Sequence, residues 1–200
     1  MTWPGVFSMK RTSQRIEIHD GSDTLRMVRK VGIARPRVRQ YVDELAEVLA
    51  EHTHRVVRKH APYGAPVLCV FLLRGGALLY PAFAARFRDA DVCFLGLRRI
   101  PDGVVCDYAT PVPRESYEAV LLVDCIVGTG ATVRAARAHL GPMRQAREYV
   151  ATLCSARQTT ASLVADGLTF IGLALDEDLD DGLVLPDLGH LDAGDVFSQA

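Results

Sequence analysis

The stretch Ala119–Leu140, AVLLVDCIVGTGATVRAARAHL, decides the fold. Val120 to Val123 is a short continuous apolar run, long enough for a buried strand and too short for a helix. One carboxylate, Asp124, stands at its end. A turn rich in Gly and Thr follows (Val127, Gly128, Thr129, Gly130, Ala131, Thr132). The segment Ala131 to Leu140 then has helix-forming composition and is stopped by Gly141 and Pro142. Strand, loop and helix in that order make a site for an anion. The glycines let backbone N–H groups turn inward, and the helix N-terminus adds partial positive charge. The hydroxyls of Thr129 and Thr132 are donors for further phosphate oxygens, and Asp124 is placed to accept from sugar hydroxyls beside them. The amides of residues 127–132 are therefore expected to converge on one point, with Asp124 in reach of it. The competing reading is an ordinary βα turn whose glycines merely permit tight packing. The loop is not a Walker A, because no Gly-Lys-Ser/Thr follows the glycines, and it is not GxGxxG.

Working outward, Val67 to Leu73 reads as a second buried strand after the breaker Ala61-Pro62-Tyr63-Gly64-Ala65-Pro66. It ends in Arg74-Gly75-Gly76, and Ala77 to Arg86 is again helical in composition. The architecture repeats, but this loop carries an arginine, whose fork suits a diphosphate. Val92 to Leu97 is a third strand, closed by Arg98 and Arg99. Tyr149 to Cys154 and Leu168 to Leu175 are two more, with a short helix between them around Thr159 to Val164. Upstream, Val38, Tyr41, Val42, Leu45, Val48 and Leu49 recur at helical spacing from Pro36 onward. His52, His54 and His60 trail this helix and read as a solvated face rather than a metal set. Strands alternating with helices predict an α/β fold: one domain over residues 1–200, with a mostly parallel central sheet flanked by helices and its site at the carboxyl ends of the strands. Residues 1–20 form a poorly defined N-terminal segment, and residues 100–118 read as a long irregular, flexible loop of the active site.

The bulk properties exclude several classes. Net charge is −1 with pI about 6.6, so no global field favours nucleic acid or a membrane surface. Residues 1–60 hold 12 Lys or Arg against 7 acids, while residues 176–200 hold 8 acids and no Lys or Arg, so charge is segregated along the chain. Five cysteines without CxxC spacing argue against a zinc site and suit a reducing compartment. Cys125 reads as a small apolar filler, with a reactive thiol as the alternative. No apolar run approaches a membrane span, and a cytoplasmic, soluble chain is expected.

VDCIVGTGAT resembles the phosphoribosyl-diphosphate (PRPP) signature of type I phosphoribosyltransferases. Its single acid, followed by Cys125 where most such families carry a second acid, is similar to the uracil phosphoribosyltransferase branch. VFLLRGGALL resembles the LRAG segment of that family, where the loop often holds a non-proline cis peptide, expected here near Leu73–Arg74–Gly75. The C-terminal residues 176–200 resemble its uracil-reading tail, with Gly182, Pro186, Gly189, Asp192, Gly194 and Asp195 matching. The resemblance implies transfer of 5-phosphoribosyl from PRPP to uracil, giving UMP and diphosphate, in pyrimidine salvage. PRPP would contact Arg74, Gly75, Arg99, Asp124 and residues 127–132. Arg74, Arg99, Asp124 and Asp192 would be catalytic. Uracil would be read by the amides of Val184 and Gly189 and the carbonyl of Ala193. Mg²⁺ is implied as cofactor, with Asp192 beside the metal. A homodimer or larger homo-oligomer is expected, and neither membrane nor nucleic acid as partner.

The tail departs from the family pattern. Pro186-Asp187 replaces Pro-Gly, His190-Leu191 is inserted, and Leu183 stands where an aromatic is usual. Tyr108 falls at a family aromatic, and Arg114 is a candidate for the basic residue missing beyond it. Two other readings stay open. One is a phosphoribosyltransferase for an amine or an unusual heterocycle, motivated by the acids Asp176, Glu177, Asp178, Asp180, Asp181 and Asp187. The other is an RNA-binding regulator of the same fold without turnover, motivated by the arginines of residues 26–39.

Overall fold

The computed structural model describes residues 16–18, 35–141, 146–176, 178–180 and 183–185. Seven strands form one sheet in the order β1-β7-β6-β5-β2-β3-β4. These are β1 (Ile16–Ile18), β2 (Val67–Leu73), β3 (Asp91–Ile100), β4 (Gly103–Ala109), β5 (Ala119–Val127), β6 (Arg147–Ala156) and β7 (Thr169–Asp176). Every neighbouring pair is parallel except β3 with β4. A separate two-stranded ribbon joins β8 (Asp178–Asp180) to β9 (Leu183–Leu185). Four helices lie among the described residues: α1 (Arg35–Arg58), α2 (Gly76–Arg86), α3 (Ala131–Leu140) and α4 (Arg157–Ala165). None of them is long and apolar enough to cross a membrane.

The period of two in the strands divides the core in half. Cys69 and Phe71 of β2 face one cluster with Leu121 and Val123 of β5, covered by Val42, Leu45 and Leu49 of α1 and by Leu79 and Phe83 of α2. Leu68, Val70 and Leu72 face the other with Val120 and Leu122, covered by Val133 and Ala136 of α3 and Leu163 of α4. Because β2 and β5 sit at the centre and are covered on both sides, they read as unbroken apolar runs rather than alternating ones.

The segment 100–118 departs from expectation. Its first half is the edge strand β4, hairpinned antiparallel to β3 and shifted in register between Gly96 and Leu97. An edge strand of seven residues, half solvated and carrying a bulge, has no clean alternation to be read by. Tyr108 on it is 55% exposed. The second half runs along the amino ends of the strands, away from the predicted site. Thr110 exchanges two hydrogen bonds with the backbone of Phe94, at 2.8 and 3.0 Å, and the Glu118 amide donates to Pro66 O at 2.9 Å. The Arg114 guanidinium is paired with Asp91 at 2.7 Å, at the first residue of β3. Arg114 therefore does not stand in for a basic residue at the site.

The Tyr117 hydroxyl donates to the same Asp91 carboxylate at 3.0 Å and accepts from the Arg114 amide at 3.2 Å. Burial, and then that bond to the carboxylate, push its phenol up to about 12. Since the folded chain holds the neutral phenol, this contribution to stability is intact below the ordinary tyrosine value of about 10 and is lost as pH rises toward 12. An alkaline ultraviolet titration of wild type against Tyr117→Phe is expected to show one late phenol vanish. A Tyr117 phenol ionising near the ordinary tyrosine value of about 10 would contradict the arrangement.

On α1, His52 and His54 are half-buried rather than part of a solvated face, while His60, past the end of the helix, is exposed. His54 packs edge-on against Phe87 at 5.1 Å, and burial lowers its pKa. His60 sits 3.3 Å from the Tyr149 hydroxyl.

Candidate active site

Strand β5 keeps its pairing with β6 as far as Val127, so the loop proper begins at Gly128. Asp124 is half-buried at the carboxyl end of the strand, and its Oδ1 accepts from the Cys125 amide at 2.8 Å. Cys125 itself is fully buried and donates its S–H to Gly75 O at 3.1 Å. Burial, and then the neighbouring Asp124, push this thiol well above its ordinary value, so it is filler and not a nucleophile.

Gly130 caps α3 with φ of 76°, a left-handed conformation that favours glycine, and its carbonyl accepts from the Arg134 amide at 3.0 Å. The helix bonds thus begin at Arg134, and the amides of residues 131–133 stand at the open N-terminus. The Thr129 hydroxyl accepts a long bond from Ala131 N–H at 3.4 Å. Gly128, Thr129, Gly130, Ala131 and Thr132 thus lie together at one helix start, just beyond Val127.

The loop after β2 lies beside this one because β2 and β5 are neighbours. The Leu73–Arg74 peptide is cis, where the resemblance placed such a bond. Arg74 O and Gly75 O accept from Ala77 and Leu78 N–H, both at 3.1 Å, and start α2. Gly76 has no room for a side chain: a Cβ there would lie 2.6 Å from Val123 O and 3.2 Å from Phe71 C. Arg74 is exposed at the end of β2, and Arg99 is exposed near the end of β3 on the same side of the sheet as Leu97.

The two loops leave the sheet in opposite directions. The first leads into α2 on one face and the second into α3 on the other, so a crevice opens between them at the carboxyl ends of the strands. In open α/β sheets ligands bind at this switch in direction. Arg74, Gly75, Arg99, Asp124 and residues 127–132 are gathered at the same ends of three adjacent strands, β3, β2 and β5.

The acceptor-reading residues are a different case. Val184 is on β9, paired with Leu179, and β9 approaches β6. Gly189, Asp192 and Ala193 lie outside the described residues. The residues overlooked in the sequence are those behind the loop: Arg134, Thr152, Ser155 and Thr160. Thr152 Oγ1 donates to Cys125 O at 2.9 Å, and Ser155 Oγ to Val127 O at 2.9 Å. Hydroxyl residues inside an otherwise apolar strand, YVATLCSA, were the available signal.

The family model for uracil phosphoribosyltransferase matches residues 53–197. Among solved structures, the chain is similar to the AQ2163 protein from Aquifex aeolicus, with TM-score 0.76 and 17% identity over 90% of this chain and 96% of that one. It is similar in fold to a purine phosphoribosyltransferase from Pyrococcus horikoshii Ot3 (TM-score 0.52, 15% identity, 70% and 86% covered). A hypoxanthine-guanine phosphoribosyltransferase from Bacillus anthracis also aligns (TM-score 0.52, 13% identity, 68% and 80% covered). At these identities the likeness is one of fold. No curated protein matches the sequence.

Proposed function

The chain belongs to the uracil phosphoribosyltransferase family, and from that premise we propose that it transfers 5-phosphoribosyl from PRPP to uracil, releasing UMP and diphosphate. That it is a phosphoribosyltransferase acting on a nucleobase follows from the family itself. One observation supports the assignment of the site: a Gly-Thr-Gly helix start and an Arg-Gly-Gly helix start follow the adjacent strands β5 and β2 where the chain switches direction, with Asp124 on β5 just ahead of the first. A sugar phosphorylated at one end and diphosphorylated at the other needs two separate anion cradles with a hydroxyl acceptor between.

In this reading residues 127–132 hold the 5-phosphate and Asp124 accepts from the ribose hydroxyls. Remote binding energy then orients the reacting carbon. The transition state carries positive charge on the sugar and negative charge on the departing diphosphate. Arg74 and Arg99 stabilise the second, by groups already in place before reaction. Among the described residues no three His, Cys, Asp or Glu side chains form a metal cage. Mg²⁺ is typically held by one or two carboxylates together with substrate phosphates and water, so an ion that arrives with PRPP needs no protein cage; Asp192, the carboxylate the resemblance puts beside it, lies outside the described residues. When bound, the ion supplies charge neutralisation on the diphosphate.

Uracil is favoured by family membership and by the tail residues Gly182, Pro186, Gly189, Asp192, Gly194 and Asp195. The amides of Val184 and Gly189 and the carbonyl of Ala193 would pair its alternating acceptors and donors. A base edge read by backbone groups rejects an analogue that lacks the matching pattern, because buried polar groups are then left unpaired. Incubating the protein with PRPP and a panel of uracil, hypoxanthine, other bases and amines, scored for diphosphate release, is expected to give turnover with uracil. Turnover with a purine or an amine and none with uracil would leave the transferase standing and remove the acceptor.

A further inference from the structure

The carbonyls that flank the phosphate loop are tied down by side chains, and those side chains converge on one helix. Val127 O accepts from Ser155 Oγ at 2.9 Å, and Ser155 Oγ in turn accepts from Thr160 Oγ1 at 3.1 Å, with both residues fully buried. Two positions on, Thr129 O accepts from Arg134 Nη1 at 3.2 Å. The same guanidinium is held by Ser162 Oγ at 2.8 Å and by Asp166 Oδ2 at 3.2 Å. Thr160 and Ser162 lie on α4, and Asp166 is its C-terminal cap. Helix α4 thereby grips the loop at two points.

A trans peptide is planar, and its C=O and the following N–H point in opposite directions. Drawing Val127 O and Thr129 O back toward β6 and α4 turns the N–H groups of Gly128 and Gly130 the other way, toward the crevice. The left-handed Gly130 leaves room for this. A Cβ there would lie 2.9 Å from Arg134 Nη1 and 3.1 Å from Thr159 Cγ2.

We propose that Arg134, Ser155 and Thr160 are positioning residues that preset the amides of Gly128 and Gly130 for the sugar's 5-phosphate. This rests on the phosphoribosyl reading above. Preset donors bind without first losing rotational freedom, so the ties act on affinity for that phosphate and not on the diphosphate loop after β2. Arg134 acts through the Thr129 carbonyl. Its fork is needed to reach Thr129, Ser162 and Asp166 at once, which a lysine cannot do.

The test is calorimetric titration of the full chain with ribose 5-phosphate and, separately, with diphosphate. Arg134→Leu is expected to weaken ribose 5-phosphate about tenfold, the equivalent of one lost hydrogen-bonded anchor, and to leave diphosphate within twofold. Arg134→Lys should lose about as much, because it keeps the charge and loses the fork. Thr160→Val should weaken ribose 5-phosphate selectively, and Thr160→Ser should restore it. Because the Thr160 pair alters a single buried hydroxyl, it decides the matter even where an Arg134 variant does not fold. Wild-type affinity in Arg134→Lys would overturn the proposal, as would equal weakening of both ligands or no difference between the Thr160 variants. A wild-type protein that binds no ribose 5-phosphate would instead sink the phosphoribosyl reading, and this proposal with it.

Discussion

Asp124→Asn is expected to lower kcat/KM for phosphoribosyl transfer by about 10²–10³-fold, the scale on which a preorganised polar contact to a reacting group is lost. Asparagine is the informative replacement because its amide oxygen still accepts from the Cys125 N–H, so the 2.8 Å anchor at the strand end survives while the charge does not. The fold should therefore be kept. Thr152 and Ser155 continue to hold the Cys125 and Val127 carbonyls from behind, and neither bond involves the carboxylate. Steady-state kinetics with PRPP varied, beside a thermal melt, separate the two effects. A variant with wild-type kcat/KM would place the sugar away from Asp124. A variant that melts far below wild type would make Asp124 a structural residue instead.

The second large effect is expected at Gly76, where chemistry and stability are coupled. Gly76→Ala puts a Cβ 2.6 Å from Val123 O and 3.2–3.3 Å from the Phe71 backbone. All three neighbours are main-chain atoms of the two central strands, so no flexible side chain can swing away. Overpacking of this kind destabilises by roughly 1–3 kcal/mol, or about 2–12 °C of Tm in a chain of this size. Relief by moving α2 away from β5 would also shift the Leu73–Gly76 loop against Asp124, since Cys125 donates to the Gly75 carbonyl across that contact. Differential scanning calorimetry with a diphosphate titration is expected to show Tm and diphosphate affinity falling together. An unchanged Tm would mean that the two loops are not packed as described.

These two residues show where a local reading of the chain suffices and where it stops. Asp124, Gly128, Thr129, Gly130 and Thr132 were legible because a buried strand, a bend and a helix start are encoded within about fifteen consecutive residues. Each follows from the local period and from the conformations open to glycine. The same holds for helix α3, whose ends at Ala131 and Leu140 fall where Gly130 and Gly141 puncture the pattern. Arg74-Gly75-Gly76 was legible as a loop for the same reason.

Non-local contacts were not legible. Which strands are neighbours is a matter of chain entropy and of packing two faces at once, so nothing in residues 67–73 alone states that β5 will lie beside β2. Yet that adjacency makes the crevice, because it sends α2 and α3 to opposite faces. Residues 103–109 pair as an edge strand only because β3 is there to receive them, and Arg114 is drawn to the amino end by an aspartate 23 positions earlier. Ser155 and Thr160 look like ordinary small residues until β6 and α4 bring them under a carbonyl of β5. Sequence period and turn chemistry act over a few residues and so determine the elements and the glycine-rich turn between β5 and α3. Hydrogen bonds between residues 28 and 50 positions apart, Ser155 to Val127 and Cys125 to Gly75, exist only once the sheet is assembled, and they hold those loops in place.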